Sequence, residues 1–109
     1  MLTKEQIKKI KVGAAESDGK FPLIFEALGD QGRFRIFRLL MEHHDLCVTD
    51  VAEVFGITIS AISQQLKILE RVGLVQKMRM GQMVCYEIKD DPAARYLVEF
   101  LRVKKIINN

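Results

Sequence analysis

The stretch ISAISQQLKILERVGLV, residues 59–75, has the apolar spacing of an amphipathic helix. Ile62, Leu66 and Leu69 recur at intervals of three and four residues, so they are expected to form the buried face. The opposite face lacks the Lys and Glu residues that are usual on a solvated helix. It begins instead with short or amide side chains, namely Ser60, Ser63, Gln64 and Gln65. These hydrogen-bonding groups indicate a helix whose first turn contacts a polar partner.

A shorter helix precedes this one, and a tight turn joins the two. Thr49 or Asp50 is the predicted N-cap of the first helix, which runs from Asp50 to Phe55 and is closed by Gly56. Thr58 is the predicted N-cap of the second helix, which ends at Gly73. Two helices joined by a turn containing glycine form the helix-turn-helix pattern.

A β-hairpin is expected directly after the second helix. Residues 75–80 and 83–88 alternate in character around Gly81 and Gln82, as two strands around a short turn do. A hairpin in this place is a wing.

Four further helices complete the prediction. One begins after Thr3, with Gln6 reaching back in a capping box, and ends in SDGK at residues 17–20. The others run from Pro22 to Leu28, from about Gln31 to His43 after an Asp30 N-cap, and from near Asp91 and Pro92 towards the end of the chain. The fold class is therefore mainly α with a small β-hairpin wing, in the order α-α-α-α-α-β-β-α.

The composition supports a single domain, and the distribution of charge indicates the chemical class of its binding partner. The 109 residues are 49% apolar, enough for a packed core, and no run approaches the ~20 apolar residues of a membrane span. The charged N-terminal segment does not read as a signal peptide, so we expect a cytoplasmic protein. Residues 57–82 hold four basic residues and one acidic residue, a net charge of +3 that equals the charge of the whole chain. This concentration of charge favours an anionic partner.

Double-stranded DNA fits that description. Short side chains allow the first turn of a helix to enter the major groove, where Gln can bond adenine, Ser is adaptable, and Ala61 or Ile59 can touch a thymine methyl. Lys67, Lys77 and Arg79 would hold phosphates, and the wing tip would approach a minor groove. The predicted DNA-binding residues are Thr58, Ile59, Ser60, Ala61, Ser63, Gln64, Gln65, Lys67, Lys77, Arg79 and Gln82. The alternative is a solvated helix face in a winged-helix module that contacts proteins and binds no specific DNA.

Three segments, ALGDQGRFRIFRLL, LCVTDVAEVFGITISAISQQLKILERVGLV and KMRMGQMVCYEI, resemble the ArsR/SmtB family of winged-helix repressors over about residues 23–88. The residues that fall in register with the family pattern are Thr58, Ser60, Ser63, Leu66, Leu69, Gly73, Leu74, Val75, Gly81 and Tyr86. The chain departs from the pattern at Gln31 and Gly32, where Pro-Thr is usual, at Ile59, where Gln is common, and at Gln64, where His is common.

The resemblance implies a homodimeric repressor on a roughly palindromic operator. The chain would form a single domain, residues 1–109. Residues 1–18 and 91–107 would form the dimerisation helices, residues 49–73 the helix-turn-helix and residues 74–88 the wing. A dimer would use the apolar stripe of Ile7, Ile10 and Ala14 and the broad apolar arc of the last helix. That arc consists of Leu97, Phe100, Leu101, Val103 and Ile107.

The chain lacks the ligand residues of the metal sites that the resemblance suggests. The family's Cys-Val-Cys-Asp stretch reads Cys47-Val48-Thr49-Asp50 here, and one thiolate cannot make a closed soft-metal site. The last helix holds no His, and Glu99 is its only acidic residue. His43 and His44 are adjacent, so on a helix they point about 100° apart and do not share a face. We therefore expect no metal and no cofactor, and the inducer is unknown.

Two cysteines leave a redox hypothesis open. The extended stretch before the helix-turn-helix is expected to pair with the second wing strand, which would bring Cys47 near Cys85. The pair could then respond to oxidants or reactive sulfur species; the alternative is two separate buried thiols.

An enzyme is not expected, because the sequence contains neither a nucleophile–base constellation nor a phosphate-binding Gly loop.

Overall fold

The computed structural model describes the backbone of residues 1–15 and 18–108, and their side chains as far as Val103. The elements in chain order are α1 (Lys4–Ala14), α2 (Phe21–Gly29), α3 (Gln31–Glu42), β1 (Leu46–Cys47), α4 (Val48–Phe55), α5 (Ile59–Arg71), β2 (Val75–Met80), β3 (Met83–Ile88) and α6 (Pro92–Asn108). The described part of the chain is thus a winged helix-turn-helix with six helices, which confirms the predicted fold class.

Most helix starts follow the predicted caps. Thr3 and Gln6 form the capping box of α1, with Gln6 N–H donating to the Thr3 hydroxyl at 3.1 Å. The Asp30 carboxylate caps α3, and the Thr58 hydroxyl accepts from Ala61 N–H at 3.1 Å at the start of α5. The predicted end of the first helix, residues 17–20, lies partly outside the described residues.

The predicted start of α4 is wrong by two residues. The helix begins at Val48 with Cys47 as its N-cap, so neither Thr49 nor Asp50 is the cap. Asp50 lies inside the first turn, and its carboxylate accepts from the Cys47 N–H at 3.0 Å. The strand before the helix is only two residues long and turns directly into it, which leaves no room for a separate capping residue.

One apolar core holds the helix-turn-helix in place. Ile62, Leu66 and Leu69 of α5 are fully buried, as the spacing predicted. They belong to a cluster with Phe37 of α3 and Val51 of α4. Because fully burying a Leu or Ile side chain stabilises the fold by about 1.5–3 kcal/mol, these three residues fix which face of α5 remains outside.

The sheet is antiparallel in the order β1-β3-β2. Leu46 pairs with Tyr86 and Cys47 with Cys85, so the predicted pairing of the short strand with the second wing strand is confirmed. A disulfide joins the sulfur atoms of Cys47 and Cys85. The turn of the wing contains Gly81 at φ +66°, in the left-handed region that glycine adopts without steric cost.

The terminal helices leave apolar side chains exposed. No residue of α1 is buried, and Ile7 and Ile10 are both exposed. Helix α6 buries Ala94 but exposes 64% of Phe100, while the side chain of Ile107 lies outside the described residues. Among the described residues, no helix combines the length and apolarity needed to cross a lipid bilayer.

Candidate nucleic-acid interface

The first turn of α5 is free to meet a partner. Thr58, Ser60, Ala61 and Gln64 are exposed, and 52% of the apolar Ile59 side chain is also exposed. The buried stripe on the opposite side of α5 holds these residues outward. The helix N-terminus carries the positive end of the helix dipole, which favours the approach of an anion.

The wing presents its basic residues on the outer part of β2. Lys77 lies opposite Tyr86 and Arg79 lies opposite Val84, and both basic side chains are exposed. Gln82 lies in the exposed turn between the strands. Positive charge is thus available on a second element beside α5.

A cleft of about 400 Å³ separates α5 from the wing. Five predicted DNA-binding residues line it: Ile59, Ser63, Lys67, Lys77 and Gln82. Thr49 and Cys47, at the start of α4, complete one wall. The cleft therefore brings α4, α5 and the wing to one concave surface. The other predicted residues, Thr58, Ser60, Ala61, Gln64, Gln65 and Arg79, do not line it.

Gln65 has a different environment from its neighbour Gln64. Its amide oxygen accepts a hydrogen bond at 3.0 Å from the guanidinium of Arg33, and its side chain is half-buried against α3. Arg33 also donates to the Ala27 carbonyl at 2.8 Å and lies 4.0 Å from the Asp30 carboxylate. Gln65 therefore attaches α5 to the C-terminus of α2 and the N-terminus of α3, a contact that Gln64 does not make.

Gly32 lies beside this attachment. A Cβ atom at this position would lie 3.2 Å from the Asp30 carboxylate and 3.8 Å from the Gln65 amide nitrogen. The departure from the family pattern at Gly32 thus lies beside the contact that holds α5.

Sequence reasoning missed both Arg33 and Thr49. Arg33 could have been found, because it occupies the Arg of the Ala-Leu-x-Asp-x-x-Arg pattern.

Tyr86 forms part of the cleft wall as a neutral phenol. Burial raises the pKa of Tyr86 above its ordinary value, and the nearby negative charge of Glu70 raises it further. Tyr86 is only 2% exposed and belongs to the apolar core, so it joins wing strand β3 to that core.

The two histidines lie away from this surface. His43 is the C-cap of α3, and His44 lines a groove of about 710 Å³ formed by α3, the end of β3 and α6. In the described part of the chain, no three His, Cys, Asp or Glu side chains come together as metal ligands would.

An exposed uncharged helix turn beside a basic hairpin, on this fold, defines a winged helix-turn-helix DNA-binding regulator. A family model described as "Bacterial regulatory protein, arsR family" matches residues 30–77, from the N-cap of α3 into β2. The arsenical resistance operon repressor of Bacillus subtilis (strain 168) is 35% identical over 82 residues, which are 75% of this chain and 78% of the repressor. The chain therefore belongs to the ArsR family of DNA-binding transcriptional regulators. These proteins are regulators rather than enzymes, which confirms the expectation that the chain is not an enzyme.

Two further comparisons are informative. The cadmium resistance regulator CadC of Listeria innocua is 32% identical over 66 residues, 61% of this chain and 56% of CadC, so the chain spans little more than half of that relative. The solution structure of the homodimeric winged helix-turn-helix DNA-binding domain of Mb0332 from Mycobacterium bovis matches with a TM-score of 0.69 at 24% identity. That match covers 84% of this chain and 88% of the other, and it concerns the fold alone.

Proposed function

We propose that the protein is a homodimeric repressor that binds a roughly palindromic operator in double-stranded DNA. The observation that carries the proposal is the exposed, uncharged first turn of α5 beside the basic wing. Helix α5 has 13 residues and is thus about 20 Å long, and an α-helix fits the roughly 12 Å width of the major groove. A regulator that acts on chromosomal DNA works in the cytoplasm.

The uncharged residues at the start of α5 would supply the sequence preference. Ser60, Ser63 and Gln64 would read base edges, because their donors and acceptors match those in the major groove, and Ala61 or Ile59 would contact thymine methyl groups. Thr58 would remain the cap that orients this turn.

The cationic residues would supply affinity. Lys67, Lys77 and Arg79 would bind phosphates without discriminating between sequences, while Gln82 at the wing tip would approach a minor groove. Thr49, which also lines the cleft, would bond a phosphate through its hydroxyl group.

The exposed apolar residues of the terminal helices support the homodimer. Ile10 on α1 and Phe100 on α6 are both more than half exposed. The radius of gyration is 17.9 Å, whereas a compact domain of 100 residues has about 13 Å. Packing α1 and α6 against a second copy would bury these side chains, and the two-fold axis would present two α5 helices to half-sites about one helical turn apart.

We further propose that this regulator works without the metal sites of its metal-sensing relatives. Cys47 is the sole cysteine in its stretch, where the soft-metal site of the family pattern has two, and its sulfur is bonded to that of Cys85 in the structure. Helix α6 contributes only Glu99 as a metal-binding side chain.

A DNA titration tests the repressor. Fluorescence anisotropy would follow the protein on duplexes from the region upstream of its own gene, and on shuffled duplexes, at about 50 and 200 mM salt. Three cationic side chains from each of two protomers make about six phosphate contacts, so affinity should fall roughly 10³-fold between these salt concentrations.

Two variants separate the proposed roles. Ser63→Ala with Gln64→Ala should reduce the preference for the upstream duplex, whereas Lys77→Ala should weaken binding to all duplexes alike. Binding that is weak, insensitive to salt and equal on all duplexes would contradict the proposal and favour a protein-contact module.

A further inference from the structure

The disulfide between Cys47 and Cys85 lies at a junction of the fold. Cys47 is the last residue of β1 and the N-cap of α4, so it is the first residue of the helix-turn-helix. Cys85 is in the middle of β3, which pairs with β2 to make the wing. The bond therefore joins the helix-turn-helix covalently to the wing, across 38 residues of sequence.

This junction borders the surface that would meet DNA. Cys47 lines the cleft between α5 and the wing together with Ser63, Lys67 and Lys77. Cys85 is fully buried, while Cys47 retains 8% exposure. Of the two cysteines, Cys47 is therefore the one at which a small reagent would reach the disulfide from the cleft.

We propose that Cys47 and Cys85 form a reversible thiol–disulfide site, and that the bonded form binds DNA more tightly than the reduced form. The reagents are of one chemical class: low-molecular-weight thiols reduce the bond, and the corresponding small disulfides form it. This proposal rests on the proposed function, because its readout is affinity for the operator.

The exchange is balanced in two steps. A small thiolate attacks the Cys47 sulfur, the bond to Cys85 breaks, and the Cys85 sulfur leaves as a thiolate that takes up a proton. A second small thiolate then attacks the sulfur of the small thiol bound to Cys47, which releases a small disulfide and leaves the second cysteine thiol. Two small thiols are oxidised to one disulfide, and the protein disulfide is reduced to two thiols; oxidation is the reverse.

Reduction should loosen the wing. Strand β1 is only two residues long and contacts β3 through two register pairs, Leu46 with Tyr86 and Cys47 with Cys85. Two thiol sulfur atoms cannot approach as closely as two bonded ones, so the buried pair must separate when the bond breaks. The start of α4 then moves relative to β3, and the wing loses its covalent attachment. A less ordered wing must be ordered on binding, which lowers affinity.

The test compares two forms of the full chain. One sample is oxidised with oxidised glutathione, and the other is reduced with dithiothreitol and exchanged into buffer without oxygen. Alkylation followed by intact-mass measurement should count no free thiols in the oxidised sample and two in the reduced sample. Anisotropy titrations on the upstream duplex should show at least tenfold tighter binding by the oxidised form. Binding of the duplex should also slow reduction, because DNA would cover the cleft beside Cys47.

A variant without thiols provides the control. Cys47→Ala with Cys85→Ala should bind DNA at the level of the reduced protein and should not respond to either reagent, with circular dichroism confirming that it folds. Alanine is preferred to serine because a hydroxyl at Cys85 would be buried without a partner.

The outcomes separate the two proposals. If both forms bind the duplex within twofold of each other, the disulfide is structural and the switch is overturned, even if reduction lowers the melting temperature. Thiols that stay unreacted under the oxidant also overturn it. If neither form binds any DNA, the proposed function fails and the switch fails with it.

Discussion

Gln64 and Gln65 are adjacent and chemically identical, yet their side chains have different surroundings, from which we infer different roles. The Gln64 side chain is exposed on the first half of α5, whereas the Gln65 amide bonds the Arg33 guanidinium. Replacing each by Ala in turn makes a matched pair, because alanine favours the helix equally at both positions. We expect Gln65→Ala to change the stability of the fold and Gln64→Ala to change the choice of DNA sequence.

The magnitudes follow from the contacts. A hydrogen bond to a charged group contributes about 1.5–3 kcal/mol, and Arg33 keeps its bond to the Ala27 carbonyl when Gln65 is lost. Because the Arg33–Gln65 contact is only partly buried, a loss of about 1 kcal/mol is expected, which lowers the melting temperature by about 4–8 °C. Gln64 is exposed, so Gln64→Ala should change stability by less than about 0.5 kcal/mol. A bidentate base contact contributes about 1–3 kcal/mol, so Gln64→Ala should cost roughly 5- to 150-fold in sequence preference for each half-site of the operator.

Urea unfolding at one fixed protomer concentration measures the stability of each variant. Fluorescence anisotropy measures its affinity for the operator duplex and for duplexes that differ from the operator at a single base pair. Fixing the concentration matters because stability depends on it in an obligate dimer. Gln65→Ala should weaken binding to all duplexes by a common factor. If Gln65→Ala instead loses preference at one base pair with unchanged stability, Gln65 reads DNA and its assignment as a positioning residue is refuted.

Three further predictions concern the wing, the terminal helices and the cleft wall. Lys77→Ala with Arg79→Ala should reduce the slope of log affinity against log salt by about two per protomer; an unchanged slope would mean that neither touches phosphate. Phe100→Glu should weaken self-association at least about 100-fold in sedimentation equilibrium, since each copy loses about 1.5–3 kcal/mol of burial; a wild-type dimer constant would exclude α6 from the interface. The raised pKa of Tyr86 means that the unfolded chain loses its phenol proton first, so stability falls as pH rises above about 10. Tyr86→Phe should remove part of this loss in urea titrations at pH 8 and 10.5, and an unchanged loss would mean that Tyr86 does not cause it.

The helix-turn-helix was predictable because its signals are local. Thr58 caps through a hydroxyl that bonds an amide three residues away, and Ile62, Leu66 and Leu69 repeat at the helical period. Both features depend only on neighbours in the chain. The pairing of Cys47 with Cys85 came from the general architecture of winged helices, and the register confirms it.

The role of Gln65 could not be predicted in the same way. Its partner Arg33 is 32 residues away, and nothing in the periodicity of α5 distinguishes Gln65 from Gln64. The start of α4 was missed for a related reason. Asp50 has the residue type of an N-cap, but the pairing of β1 with β3 fixes Cys47 at the cap position and places Asp50 in the first turn.

The contacts of Gln65 and Cys47 are the ones that would position the proposed recognition surface. Helix α5 is held from one side by Arg33 and its neighbours at the start of α3, and the wing is held from the other side by the bond between Cys47 and Cys85. Neither contact lies on the exposed first turn of α5, yet together they would set how far that turn stands from the wing. Substitutions at Arg33 should therefore change affinity for every sequence, as loss of the disulfide should, whereas only residues on the exposed turn should change which sequence is preferred. A variant of Arg33 that keeps overall affinity but alters sequence preference would contradict this division.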